Sequence, residues 1–429
     1  MGRLSFSDTR HLVGRTALGA EWGGLKALEG KTRAEAVNIL LKPGSSKTPP
    51  LPRLTPWAIV SRMSQYNGKG KQRAHMMMIK EGERLKRWWM RHLLRTKTPV
   101  NEHMTLFWHN HFTSSLDKVA QPRLMYLQNQ LLRRNAMGNF RKLLHEIARD
   151  PAMLVYLDGS KNVKGSPNEN FARELMELFT LGIGNYTEAD VKAAAIAFTG
   201  WGVDRNRGVF VYDPKKHDNK TVTFLGRKGS FTGDEIIDII LEKPQTAKFI
   251  TRKFWKEFVS DMPPEEELIE QWANSFRESN YDIKTLLSEI LNSDAFWSKK
   301  YRGTLTKSPV DLLVGTLRTL PFPKFSDTQL VHIAQLLGQD LFDPPTVKGW
   351  EGGTAWIDTQ TMLVRTSFLT KLTRHSRASA RVQSYLPKTS GSNVIKWLLP
   401  FSPALALPTT PGKLRMIRAL VLDPVFQLK

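Results

Sequence analysis

The chain has 429 residues, 41% of them hydrophobic, which is enough to bury a large core and too much for a disordered polymer. Its 63 Lys and Arg outnumber 40 Asp and Glu, and the formal net charge of +23 either favours anionic partners (nucleic acid, anionic lipid, an acidic polymer) or serves solubility alone. No cysteine is present, which excludes disulfides, thiolate catalysis and cysteine-held zinc or iron–sulfur centres.

The opening MGRLSFSDTRHLVGRTALGA lacks the apolar core of a secretory signal, so the expectation is a cytoplasmic chain or one whose leader has been replaced by a start codon. No run of about 18 apolar residues occurs, so no membrane span is expected. Residues 42–56, KPGSSKTPPLPRLTP, are too proline-rich for a helix and read as a loop. The stretch Lys69 to Lys97 follows with ten Lys or Arg against Glu81 and Glu83, interleaved with Trp88 and Trp89. Such a helix either stacks on bases or lies on a membrane, or, as we favour, buries its Trp, Met and Leu and solvates its cations. No accompanying motif supports nucleic-acid binding.

Residues 101–115, NEHMTLFWHNHFTSS, place His109 and His111 in a His-x-His pair. Joint ligation of a divalent metal requires the helix to end near Asn110, because two helical positions point about 200° apart. The alternative is a hydrogen-bonded structural histidine beside Trp108.

KLLHEIARDPAML (142–154), TLLSEILNSDAFW (285–297) and RMIRALVLDPVFQ (415–427) each give an apolar helix, a polar break and a new apolar start. They predict helix–break–helix corners with an Asp or Ser cap, at spacing too unequal for a repeat array.

SPNENFARELMELFTLGIGNYTEADV (166–191) reads as a capping box, Ser166 with Glu169 and Pro167 at the first position, opening a helix that Gly182 and Gly184 end. Phe171, Ala172, Leu175, Leu178 and Phe179 fall on one face, and Glu169, Arg173, Glu174 and Glu177 on the other. That polar face is either a solvated set of Glu–Arg pairs or the lining of a cleft, with a glutamate as acid or base and Arg173 on a substrate anion.

The convincing β signal lies at 208–226, where Val209–Tyr212 and Thr221–Leu225 alternate around a polar turn and predict an inserted hairpin. Residues 341–358, LFDPPTVKGWEGGTAWID, combine Pro344-Pro345, three glycines, Trp350 and Trp356. They form a stiff loop that presents Asp343, Lys348 and Trp350 to a sugar ring or another polar ligand, or that plugs a helical gap. Residues 386–412 read as a second loop-rich segment around Trp397. Phosphate-cradling loops, H-E-x-x-H, G-x-S-x-G and dinucleotide fingerprints are absent from the sequence.

Taken together, LFWHNHFTSS, RDPAMLVYLDGSKNVKGSPNENFARELMELFTLGIGNYTEADVKAAAIAFTGW, LFDPPTVKGWEGGTAWID and LVLDPVFQ resemble the bacterial domain-of-unknown-function family numbered eighteen hundred, from about Ser7 to Gln427. The resemblance implies a mainly helical, usually exported protein, often encoded beside an exported sulfatase-like family that is a candidate partner. Family positions map onto Trp108, His109, His111, Asp158, Asn168, Glu169, Asn170, Arg173, Glu174, Glu177, Trp201, Lys348, Gly349 and Trp350.

The combined expectation is a mainly α protein, one large multi-helix domain over 1–429 with a small inserted hairpin, working as a periplasmic or secreted hydrolase or lyase on a polysaccharide or other anionic polymer. Glu169 or Glu174 acts as general acid or base, with His109 and His111 assisting through a proton or a metal. Arg173, Glu177, Asn168, Asn170, Trp201, Lys348, Trp350 and Trp356 bind substrate. A non-enzymatic binding or assembly protein with a structural polar network competes with this reading, and a nucleic-acid binder is the third alternative.

Overall fold

The computed structural model describes residues 2–42, 49–64, 68–204, 206–320, 322, 325–374, 391–408 and 412–429; parts of the two proposed loops, 42–56 and 386–412, lie outside them. The protein is mainly helical, and one buried apolar cluster runs from Leu4 to Phe426. Among the described residues no helix is long and apolar enough to cross a membrane. Within the second loop-rich segment, Gly391–Leu398 is a helix that seats Trp397 in the core, its indole N–H on the Ala20 carbonyl at 2.7 Å.

The basic stretch forms the helix Lys69–Arg95, which packs on helices Asp327–Leu336, Pro309–Thr319 and Pro122–Asn135. Its apolar stripe Leu85, Trp88, Trp89, Met90 and Leu93 is buried, so both indoles serve the core. The three corners form as read: Asp150, Ser293 and Asp423 end one helix and cap the next, accepting from Met153 N (2.9 Å), Phe296 N (3.3 Å) and Val425 N (2.9 Å).

The β insertion is present, with a different pairing. Strand β1 (Trp201–Val203) pairs antiparallel with β2 (Phe210–Tyr212), and β3 (Val222–Phe224) with β4 (Arg227–Gly229). The two alternating runs therefore pair outward instead of with each other. Leu225 (φ 45°) and Gly226 (φ 85°) close β3 on β4 in a two-residue turn of the twist-matched kind, which satisfies β3 locally. Between the pairs, Asp218 N donates to Thr199 Oγ1 at 2.8 Å, tying the expected turn to a helix end.

The helix of the 166–191 segment begins later than its sequence suggests, at Asn170. Ser166 makes a tight turn, its N–H on the Val163 carbonyl, and does not cap. Asn168 does that work, taking the Asn170 N–H at 2.9 Å while its own N–H is held by Asn162 Oδ1; such side-chain turns compete with a helix start. From Leu175 to Thr180 the helix widens into a π turn, and both Leu181 N and Gly182 N close on the Met176 carbonyl. A second π turn, Trp255–Val259, ends the helix Pro244–Phe254, which packs against the first.

Candidate functional site

Helix Pro99–His111 runs unbroken through His111, so His109 and His111 leave the axis on different sides. His109 sits in an aromatic box of Trp89, Phe342 and Trp350, at 5.3–5.7 Å between ring centres, and neither ring nitrogen has a hydrogen-bond partner among the described residues. Burial pushes its pKa down to about 3, so the ring is neutral. His111 lies among Phe107, Phe112 and Phe179, with Nε2 at 3.1 Å from the Phe179 carbonyl, and burial likewise pushes it well down. The two rings share no ring neighbour, and a common metal ion is not supported by this backbone. Among the described residues no three His, Asp or Glu side chains are grouped to hold a metal.

The acidic helix face is real but mostly self-satisfied. Arg173 donates to Glu188 through both terminal nitrogens (2.6 and 2.8 Å) and to Glu169 at 3.1 Å, and these bonds, Glu188 first, raise its already high pKa. Glu177 accepts from the Tyr186 hydroxyl at 2.8 Å. Asn168 and Asn170 hold the turn, Asn170 Nδ2 reaching the Leu157 carbonyl at 3.0 Å. Glu174 has no hydrogen-bond partner among the described residues; burial and then Glu177 push its carboxyl up, against Arg173 and Lys348. Trp201 lies elsewhere, packed between Phe198, Phe210 and the Arg149 guanidinium. It is a core plug of the β insertion.

The 350 loop meets the end of helix Pro99–His111. Asn110 Oδ1 takes the Trp350 N–H at 2.7 Å, and a Cβ on Gly349 (φ 84°) would lie 2.2 Å from that oxygen, so only glycine permits the approach. Asp343 is engaged by Lys86 (3.2 Å) and the Asp117 N–H (3.1 Å), a structural role and not a ligand-facing one. Lys348, Trp350 and Trp356 line a cavity of about 320 Å³ together with His111. The Trp350 indole N–H is buried without a hydrogen-bond partner among the described residues.

The same cavity holds residues that the sequence reading missed. Three buried positions of helix Pro99–His111, His103, Phe107 and His111, recur every four residues and line one wall. That spacing was visible in the sequence; the His-x-His pair drew attention to the wrong phase. His103 Nε2 lies 2.6 Å from Glu257 Oε1, Glu257 is 4.0 Å from Lys429 Nζ, and Lys429 is 2.7 Å from Asp311 Oδ2. Burial pushes Glu257 up, but His103 and then Lys429 outweigh it and hold the carboxyl below the usual range. Four residues on, Asp261 stands at the cavity rim with no hydrogen-bond or ion-pair partner among the described residues, its carboxylate against Gly353. Burial and the charge of Glu257 push it up, against Lys256. Lys253 and Lys256 complete a cationic wall. The acidic helix adjoins this cavity without lining it, and Lys348 belongs to both through its field on Glu174.

The cavity thus gathers four carboxylates, Glu257, Asp261, Asp311 and Glu351, with Lys253, Lys256, Lys348 and Lys429 and the indoles of Trp350 and Trp356, in a mainly helical protein. The chain belongs to the family described as protein of unknown function DUF1800, whose model matches residues 11–425. No curated protein and no solved structure matches it.

Proposed function

We propose that the protein is an envelope enzyme that cleaves glycosidic bonds in an acidic polysaccharide, with the cavity, not the acidic helix face, as its active site. Asp261, pushed toward its neutral form, is the general acid; Glu257, kept ionised by His103, is the base or nucleophile. Two carboxyls with opposed displacements are what glycoside hydrolysis uses. Lys253, Lys256 and Lys348 attract the acidic chain, and Trp350 and Trp356 offer ring faces for sugar stacking. The export implied by the family resemblance and the cysteine-free composition fit an oxidising compartment.

The observation that carries this reading is the split between Glu257 and Asp261 within one cavity. Reducing-end release should be assayed over a panel of acidic glycans. Glu257→Gln and Asp261→Asn should each lower the rate by roughly 10²–10⁴-fold with unchanged melting, the usual contribution of a general acid or base, while Glu169→Gln stays near wild type. Full activity in both cavity variants would refute the assignment.

A further inference from the structure

Some buried cations of this protein are paired: Arg133 meets Glu102 at 2.6 and 2.9 Å, and Lys86 meets Asp340 at 2.6 Å. Others are not, among them Arg15, which spends its donors on the Phe258, Val259 and Tyr301 carbonyls. Sharing the Asp311–Lys429 pair with the larger cavity, a small chamber of about 50 Å³ is lined by Arg10, Lys307, Thr316 and Lys429, with Asp311 its carboxylate among the described residues. On the order of 10–15 Å³ suffices for a water, so the chamber has room for a few waters or one tetrahedral oxyanion.

None of Arg10, Lys307 or Arg365 pairs with a carboxylate among the described residues. Arg10 is 7% exposed, and its hydrogen bond among the described residues is a 3.5 Å approach to the Leu398 carbonyl, at the limit of a hydrogen bond. Lys307 Nζ finds the Phe426 carbonyl at 2.6 Å and the face of that ring. Behind it Arg365, fully buried, spends its donors on Gln427 Oε1 and the Lys307 carbonyl. Thr316, 3% exposed, has a hydroxyl with no hydrogen-bond partner among the described residues. Glycines at 14, 19 and 315 leave the wall without side chains.

Placing buried Arg10 and half-buried Lys307 at a chamber whose Asp311 is already engaged by Lys429, with buried Arg365 behind them, is costly, because like charges repel strongly where water is excluded. The acidities follow burial first, with like-charge repulsion added at Lys307. Burial pushes Arg10 down to about 10, and burial, then Arg10, pushes Lys307 well down. A hydroxyl donor, two cations and a small void are the complement of an anion's oxygens.

We propose that the chamber lined by Arg10, Lys307, Thr316 and Lys429 binds a small tetrahedral oxyanion, sulfate or phosphate, either free or as an ester group on a larger molecule. The site stands on charge imbalance and an orphaned hydroxyl, and does not rest on the glycan-cleaving reading.

The test is calorimetric titration of the intact chain with sodium sulfate and sodium phosphate, ionic strength held constant with chloride. Sulfate stabilises most folds by exclusion, so the readout is a saturable heat of binding. Wild type should show one site. Thr316→Val, which keeps the shape, should weaken it about tenfold, the loss of one hydrogen bond to a charged ligand. Lys307→Met should abolish it, and in anion-free buffer should melt no lower than wild type because a repelled cation has been removed. A parallel titration with glucose 6-sulfate separates the sources: tighter binding than inorganic sulfate assigns the site to an ester, and equal or weaker binding assigns it to the free ion. No saturable heat with any of the three, or equal binding by wild type, Thr316→Val and Lys307→Met, would overturn the proposal.

Discussion

At the scale of single residues, side chains that look alike in sequence divide by what they touch. Asn110 and Gly349 form a clamp: the asparagine side chain reads the backbone of Trp350, and the glycine has no room for a Cβ. Gly349→Ala is expected to cost at least about 2 kcal/mol, from a positive φ together with a contact that must open; urea unfolding checks it, and a change under about 0.5 kcal/mol would contradict the clamp. Arg173 is the opposite case. Its carboxylate partners are largely solvent-exposed, Glu188 at 68% and Glu169 at 37% of the side chain. Exposed pairs contribute about 0–1 kcal/mol, so Arg173→Ala should stay within about 1 kcal/mol of wild type in the same assay. Collapse of the fold would instead support a structural network there. Residue types alone could not separate the two cases, because Asn, Gly, Glu and Arg look equally purposeful in a sequence. Distance and exposure separate them.

At the scale of elements, the corners were legible because their signal is local. An apolar periodicity, a capping Asp or Ser and a fresh apolar start need no tertiary information. Asp150 at the first corner carries a consequence. It is 4% exposed, and burial pushes its carboxyl from 3.8 up to about 7, against bonds from Met153, Gln128 and Ala152. A folded pKa above the unfolded one means stability that is fully present below about pH 3.8 and is lost as pH rises through 7, at about 1.4 kcal/mol per unit. Asp150→Asn keeps an acceptor for the cap and removes that penalty. Its stability relative to wild type should therefore rise between pH 5 and pH 8 in paired thermal melts; a flat difference would show that Asp150 is not neutralised. The π turns were not legible. Leu175–Thr180 and Trp255–Val259 follow ordinary helical patterns; helix Pro244–Phe254 packs on the first and runs into the second, and such tertiary contacts leave no mark on a 3.6-residue periodicity. The second carries Glu257, so the phase that brings this carboxylate to His103 could not be read from a 3.6-residue wheel. The strand positions were readable and their partners were not, since the short turn at Leu225–Gly226 outcompeted a longer one.

At the scale of the whole molecule, the mainly helical class and the family followed from long specific phrases and pervasive periodicity. The meeting of distant segments did not. Asp311 and Lys429 are 118 residues apart in sequence, and His103 and Glu257 are 154 apart. The net charge of +23 is likewise visible early but uninformative until placed. Part of it forms the cationic wall of the cavity, and part is buried around Lys307, where it implies an anion instead of solubility. Glu102, fully buried, anchors the centre of the fold against Arg133. Burial pushes it up, yet its bonds to His92 and Arg133 hold it at about 2. A depressed folded pKa gives stability that is present above about pH 4.5 and lost as pH falls toward 2, on the order of 3 kcal/mol. Acid unfolding should thus begin in that window for wild type and be blunted in Glu102→Gln.

The most direct test of the central claim is a crystal structure of Asp261→Asn soaked with an acidic oligosaccharide. The account predicts sugar rings against Trp350 and Trp356, with a glycosidic oxygen beside residue 261 and Glu257 facing the same sugar. Density lying along Arg173 and Glu169, with the cavity empty, would contradict it.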